Sequence, residues 1–187
     1  FTYNKKASWC FLKTDAGKLQ TFAGSVAGKV VVASSEPEIG APQALTFTGA
    51  FDNDAVNYRN NLVAAAPKTP PQTLDAIILS ADTAVQTGDP RSAYIGYGLA
   101  VSLSPDDSSL WTRLSRAAAA TTPGDNEAFA LQQGATSAAI NGYLTSRTAN
   151  LRADALTALA QALDKRGEGR PAINAYKASL ELRADKM

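Results

Sequence analysis

The sequence contains no histidine and a single cysteine, Cys10. Without histidine there is no Ser-His or Cys-His nucleophile pair, no imidazole general base and no His-ligated metal. One cysteine forms neither an internal disulfide nor a cysteine-based zinc site. Charge of one sign is also missing: Lys and Arg number 18 against 17 Asp and Glu, a net charge of +1. That balance gives no strong field for nucleic acid or an anionic membrane. No apolar run approaches the roughly 18 residues that a membrane span needs; the longest candidates, such as 74–81, are short and interrupted. No basic-then-apolar leader is read within residues 1–187, and no Asn-x-Ser/Thr acceptor is present. The chain reads as a processed piece of a longer protein.

What remains is ample for a core. Apolar residues make up 45% of the 187 residues and charged residues 19%, the balance of a folded domain, or of one domain and a fraction. Residues 1–33 are set apart by Phe1, Tyr3, Trp9, Phe11, Phe22 and the run Val30-Val31-Val32, broken by turn signals at 4–6 and 15–17. Short apolar runs between turns predict strands. A hairpin is expected from 1–3 and 8–13, with further strands over 19–22 and 28–33. So short a segment must lean on something else to bury its apolar side chains. Residues 34–43, rich in Pro, Ser and Gly, read as a linker.

From about residue 44 the pattern is that of a helical domain running to residue 187. Helices are predicted from Asp52 or Asn53 to about Ala65, then over 72–87, 90–104, 107–120, 126–145, 149–166 and 169–183. Thr69 with Gln72, and Pro70 at the first helical position, predict a capping box. The paired carboxylates Asp52/Asp54 and Asp106/Asp107 stand at helix starts, where capping and the helix dipole account for them. Gly24-Ser-Val-Ala-Gly28-Lys29-Val30 falls short of a phosphate loop: the glycines are too close, and Val30 stands where a magnesium-binding hydroxyl is needed. Lys5-Lys6, between Tyr3 and Trp9, is too little charge for a nucleic-acid site.

The helical part repeats itself. Gly88, Arg91, Ala93, Tyr97, Leu103 and Asp106 recur without gaps as Gly167, Arg170, Ala172, Tyr176, Leu182 and Asp185, 79 residues on. Repeated helix-turn-helix units mark an α-solenoid. Small residues at Ala81, Ala93 and Ala100 would let helix axes approach to about 8–10 Å. Tyr97 and Tyr176 are expected to fill the gaps between units, and Gly88 and Gly167 to take the left-handed turn. The alternative on the residues alone is an irregular helical bundle.

The spacing resembles the tetratricopeptide repeat, whose period is about 34 residues. Ile77, Ala81, Gly88, Ala93, Tyr97, Ala100 and Pro105 fall on its pattern, with Ser80 in place of the usual leucine. Leu159, Ala160, Gly167, Ala172 and Tyr176 do so again, and Trp111 and Leu114 match the start of a degenerate middle unit. The resemblance implies a concave face made by the first helices of the units. Asp75, Ile78, Asp82, Arg116, Asp154, Gln161 and Asp164 would be its candidate binding residues, together with Val85, Ser109, Thr112 and Thr157. The Lys/Asn/Arg set that clamps C-terminal carboxylates in some family members is absent. A peptide with basic or apolar residues would suit this mildly acidic face; a merely solvated face is the plainer alternative.

Phe1-Thr-Tyr-Asn-Lys-Lys-Ala-Ser-Trp9-Cys10-Phe-Leu-Lys13 resembles the C-terminal half of a PAN/apple domain. Such an end, followed by Gly24-Ser-Val-Ala-Gly-Lys-Val-Val and then helical repeats, is similar to the N-terminal region of the bacterial alpha-2-macroglobulin family. The resemblance implies a mainly α chain with a small antiparallel β remnant. It implies a periplasmic or otherwise exported protease-inhibitor protein, and a Cys10 whose disulfide partner lies upstream of Phe1. The family's thioester motif, Cys-x-Glu-Gln, has no match, since Phe11, Leu12 and Lys13 follow Cys10. The expectation is a non-catalytic module, without cofactor or metal. Its partners would be proteins: other domains of the same polypeptide, proteases or envelope proteins, with no nucleic-acid or membrane contact by this stretch. A stand-alone tetratricopeptide adaptor, binding a peptide on its concave face, is the alternative. A carboxylate-based glycoside hydrolase would need a carboxylate pair that the sequence does not offer convincingly.

Overall fold

The computed structural model describes residues 37–46, 48, 51–70 and 72–184, together with three short strands. The strands are β1 (Thr2–Asn4), β2 (Trp9–Phe11) and β3 (Ser25–Ala27). They pair antiparallel in the order β2-β1-β3, with Tyr3 opposite both Cys10 and Val26. The strands expected over 19–22 and 28–33 lie outside the described residues, as does Asp185 of the repeat. The chain divides into two compact units at Pro37/Glu38.

The second unit is helical. Among the described residues it comprises α1 (Asp52–Ala64), α2 (Leu74–Gln86), α3 (Pro90–Leu103), α4 (Ser108–Ala120), α5 (Ala128–Thr145), α6 (Ala149–Lys165) and α7 (Gly169–Ala184). Consecutive helices from α2 onward pack as neighbours, α4 also packs on α6, and α1 packs on α3 and α5. All seven were expected within a few residues, but three starts differ. Asp52 does not cap α1: the N-cap is Phe51, reached through a turn in which Phe51 N–H donates to the Thr48 carbonyl at 2.6 Å. Asp52 is therefore already in the first turn, where its carboxylate accepts from the Thr48 hydroxyl at 3.0 Å. Thr69 does not cap α2; Thr73 does, accepting from Ala76 N–H at 3.3 Å. Consecutive prolines explain the delay, because the residue before a proline is driven out of the α region. Asn126 has φ of 65° and cannot join α5, so that helix starts at Ala128. Asp107 caps α4 as expected, accepting from Ser109 N–H at 2.8 Å.

The repeat in the sequence has a counterpart in the backbone. Gly88 and Gly167 both take positive φ, 76° and 78°. In the first turn Gly88 N–H donates to Val85 and Asp89 N–H to Ala84; in the second Gly167 N–H donates to Asp164 and Glu168 N–H to Leu163. These are the same bonds 79 residues apart, a left-handed helix stop with its orphan carbonyls satisfied. Ala81, Ala93 and Ile77 are buried, and so are their counterparts Ala160, Ala172 and Leu156. The α2–α3 approach is closer than the alanines alone suggest: a Cβ added at Gly96 would sit 2.8 Å from the Ala81 Cβ.

Two expectations are corrected. Tyr97 is 3% exposed and fills the space before α4, but Tyr176 is 39% exposed. No helix follows α7 among the described residues, so nothing there covers Tyr176 as α4 covers Tyr97. Half of the expected linker 34–43 is also no linker. Glu38 bridges to Thr148, Ile39 N–H donates to the Arg147 carbonyl at 2.8 Å, and the Tyr143 hydroxyl donates to the Gln43 carbonyl at 2.8 Å. The buried Arg152 guanidinium donates to the Gly40 carbonyl at 2.7 Å and to Ser146, and stands over the Tyr143 ring. Residues 38–46 thus form a strap bound to α5 and α6. The polar backbone of such a segment needs partners once it is buried, and Arg152 and Tyr143 supply them.

Candidate functional site

The residues expected on the face belong to α2, α4 and α6, and they fall into two groups. Asp82 is committed to structure. It accepts from the Tyr97 hydroxyl at 2.6 Å, and Arg113 Nη1 donates to its two oxygens at 3.0 and 3.2 Å. One carboxylate thereby ties α2 to α3 and α4. Burial, then the hydrogen bond to the Asp82 carboxylate, pushes the Tyr97 phenol up to about 12. Asp154 likewise pairs with Arg183 of α7 at 2.8 Å. Thr112 is buried, bonded to the Ser108 carbonyl, and Thr157 bonds to Ser179 of α7. Those two are taken from the face by packing.

Asp75, Arg116, Gln161, Asp164 and Val85 are exposed, and Ile78 and Ser109 are half-buried. None of Asp75, Asp164 and Arg116 takes part in an ion pair among the described residues. The acidic character read from the sequence is therefore halved, because two of its four carboxylates are neutralised by arginines. Arg113, one residue outside the expected positions on α4, is the missed member. Its signal was the spacing from Trp111: a residue two after a core tryptophan points away from that core.

A second feature escaped the sequence reading. The ends of α4 and α6 and the start of α5 enclose a cleft of about 200 Å³, lined by Ala118, Thr121, Leu131, Gln132, Ala162 and Lys165 among others. It exists because the run Ala117–Ala120 supplies little side chain to fill the end of the helix pair. The Lys165 ammonium donates to the Ala119 carbonyl, satisfying one of the free carbonyls of α4. The cleft offers one cation, one amide and one hydroxyl on an otherwise apolar lining. Among the described residues no group of three or more Cys, Asp or Glu is arranged to hold a metal, and no helix is long and apolar enough to cross a membrane.

The border of this region carries a carboxylate with a shifted titration. Glu127 accepts both nitrogens of Arg91, at 3.3 and 2.5 Å, and Gly124 N–H at 2.9 Å. The Arg91 bonds first, and the Gly124 amide second, lower its pKa from 4.5 to about 2. A carboxyl lowered in the folded state stabilises fully above its unfolded value, and that stabilisation disappears as pH falls through the folded value. Between pH 4.5 and about 2, Glu127 should therefore contribute to acid destabilisation. Thermal melts of Glu127→Gln are expected to show a shallower loss of Tm over that window; an unchanged acid limb would mean that the pair is not held in solution. Both side chains are about half exposed, so added salt should shrink the difference.

The chain matches no known protein-family model and no curated protein sequence.

Proposed function

We propose that this chain is a non-catalytic protein-binding piece of an exported, alpha-2-macroglobulin-like protease-inhibitor protein of a bacterium. In this reading it joins the end of a PAN/apple-like domain to a short tetratricopeptide-like array. The array offers surface to other domains of the same polypeptide, or to proteases and envelope proteins. The observation that carries the scaffold part is the recurrence of one turn, with the same glycine and the same hydrogen bonds, at Gly88 and Gly167. A fold that reuses one helical hairpin makes extended surface by stacking. Arginine–carboxylate pairs between α2 and α4 and between α6 and α7 support the same role, since they fix the stacking without presenting a reactive group. The family part rests on the resemblance of residues 1–13 and 24–31.

Peptide mapping of unreduced protein from its source cells tests this. Cys10 in a disulfide with a cysteine upstream of Phe1, in an envelope fraction, is the expected result. A Cys10 recovered only as a free thiol defeats the apple assignment and the export that goes with it.

A second reading has its own support. The helical unit closes on itself from Glu38, with the strap as its edge. That suits a stand-alone adaptor binding a peptide on the face of Asp75, Ile78, Gln161 and Asp164. Titration with a panel of lysine-rich peptides separates the two: an adaptor loses binding on Asp75→Lys and Asp164→Lys, whereas the first reading requires no such peptide.

A further inference from the structure

Where α4 and α6 end and α5 begins, the side chains run short. Ala118, Ala135 and Ala162, one from each helix, belong to one small buried cluster. With Ala119 they form the floor of the cleft of about 200 Å³. Helix packing ordinarily leaves few spaces larger than a water molecule, and four methyl groups do not close this one.

Its walls are tied down. One is the turn from Thr121 to Ala128, held by Arg91 of α3. The Arg91 guanidinium donates to the Thr122 carbonyl at 3.4 Å and to both oxygens of Glu127, which also accepts from Gly124 N–H. Pro123 stiffens the same turn. Another wall is the last turn of α6, which brings Lys165. A site whose walls are fixed before the ligand arrives loses less on binding it.

The lining carries a single charge, that of the exposed Lys165. The Ala119 carbonyl anchors its ammonium at the cleft, which uses one of three N–H groups and leaves two. Asp164 and Glu168, near it in sequence, do not line the cleft, and neither forms an ion pair with it. Gln132 adds a side-chain amide able to donate to the same ligand. The Thr121 hydroxyl is already given to the Ala117 carbonyl at 2.8 Å. The other lining residues are apolar. A cation at the lip and an alanine floor ask for an anion at one end of the ligand and a hydrocarbon tail at the other. Volume bounds its size. An apolar cavity of about 150 Å³ takes benzene, so a cleft of about 200 Å³ takes about eight heavy atoms. Hexanoate has that many.

We propose that this cleft is a binding site for a small aliphatic monocarboxylate of about six carbons, its carboxylate on Lys165 and Gln132 and its tail on the floor of Ala118, Ala135 and Ala162. The site uses none of the residues expected on the α2–α4–α6 face, so neither proposal depends on the other.

The probe is sodium hexanoate, titrated at constant ionic strength into the whole 187-residue chain with isotope-labelled alanine methyls. The Ala118, Ala135 and Ala162 methyl signals are expected to shift and saturate with one dissociation constant of about 5 mM or below. Each buried methylene changes affinity about fourfold, so butyrate should bind at least about tenfold more weakly. Hexan-1-ol has the tail without the charge and should bind about threefold to fivefold more weakly. Lys165→Met should erase that preference and leave hexanol binding as it was, which loss of a merely structural lysine would not do. Ala119→Leu, at a half-buried floor position, should abolish binding of both ligands, and Ala128→Leu, at the exposed lip, should weaken it. Melting temperatures are measured for each variant, so that a folding defect is seen as such. Any of four results overturns the proposal: no saturation by about 50 mM hexanoate, equal affinity for butyrate and hexanoate, a carboxylate preference that survives Lys165→Met, or tighter binding of a peptide ending in a free leucine carboxylate, which would make a chain terminus the occupant.

Discussion

Replacing Trp111 by alanine is expected to remove about 3–5 kcal/mol of folding stability, the range for truncating a buried tryptophan. Trp111 is fully buried at the junction of α3, α4 and α1. Its indole N–H donates to the Pro105 carbonyl at 2.8 Å, and its ring lies 6.3 Å from that of Tyr58 on α1. The substitution empties the place where the first hairpin meets the next helix, and it leaves a carbonyl in the α3–α4 turn without its donor. Urea unfolding followed by far-UV circular dichroism gives the number. Trp111→Phe keeps most of the volume but not the donor, and should lose far less. A loss near zero for Trp111→Ala would mean that α3 and α4 are not packed as described.

The second large effect is expected at Arg152. Arg152→Ala should cost about 3 kcal/mol, since hydrogen bonds to a charged donor are each worth about 1.5–3 kcal/mol and the abandoned carbonyls stay partly buried. Burial lowers the guanidinium pKa, but it remains charged at any ordinary pH and no carboxylate pairs with it in this site. The charge is held by the Gly40 and Ser146 carbonyls, the Ser146 hydroxyl and the Tyr143 ring. Hydrogen exchange adds a local signature. The Ile39 amide, bonded to Arg147, should lose its protection in Arg152→Ala, and α2 and α3 should lose much less. Arg152→Lys keeps the charge without the planar fork, and should fall between.

Trp111 and Arg152 also mark what the sequence could and could not convey. The helices were legible because their stops are local chemistry: Gly88 and Gly167 for left-handed turns, Asp107 for a cap, Pro123-Gly124 for a break. The self-match at 79 residues was legible because the same local chemistry occurs twice. The strap was not. Its Pro, Ser and Gly composition is that of a linker, and the groups that bind it down, Tyr143, Arg147, Thr148 and Arg152, lie about 100 residues away. Asn141 is a similar case: buried, it donates to the Ala55 carbonyl at 2.8 Å and so clamps α1 to α5, a contact with no trace in periodicity. The close approach at Gly96 was hidden for another reason, since a glycine inside a helix pattern ordinarily reads as a weakness.

The candidate face was legible only as positions. That Asp82 and Asp154 lie along first helices followed from the spacing. That each is engaged by an arginine followed from nothing local, because Arg113 and Arg183 arrive from other helices, 31 and 29 residues on. Exposure of Tyr176 was missed for the converse reason. A repeat alignment transfers the environment of an inner unit to an outer one, and the outer one lacks the neighbour.

The central claim is that the α2–α3 and α6–α7 hairpins share one turn and one packing register, with the Ala175 methyl standing where the first hairpin has Gly96. Nuclear Overhauser contacts in the isotope-labelled 187-residue chain test it most directly. The Ala81 methyl should contact the Gly96 α-protons, and, 79 residues on, the Ala160 methyl should contact the Ala175 methyl, with positive-φ couplings at both Gly88 and Gly167. Contacts in the first hairpin without their counterparts in the second, or a Gly167 in the ordinary helical region, would contradict it.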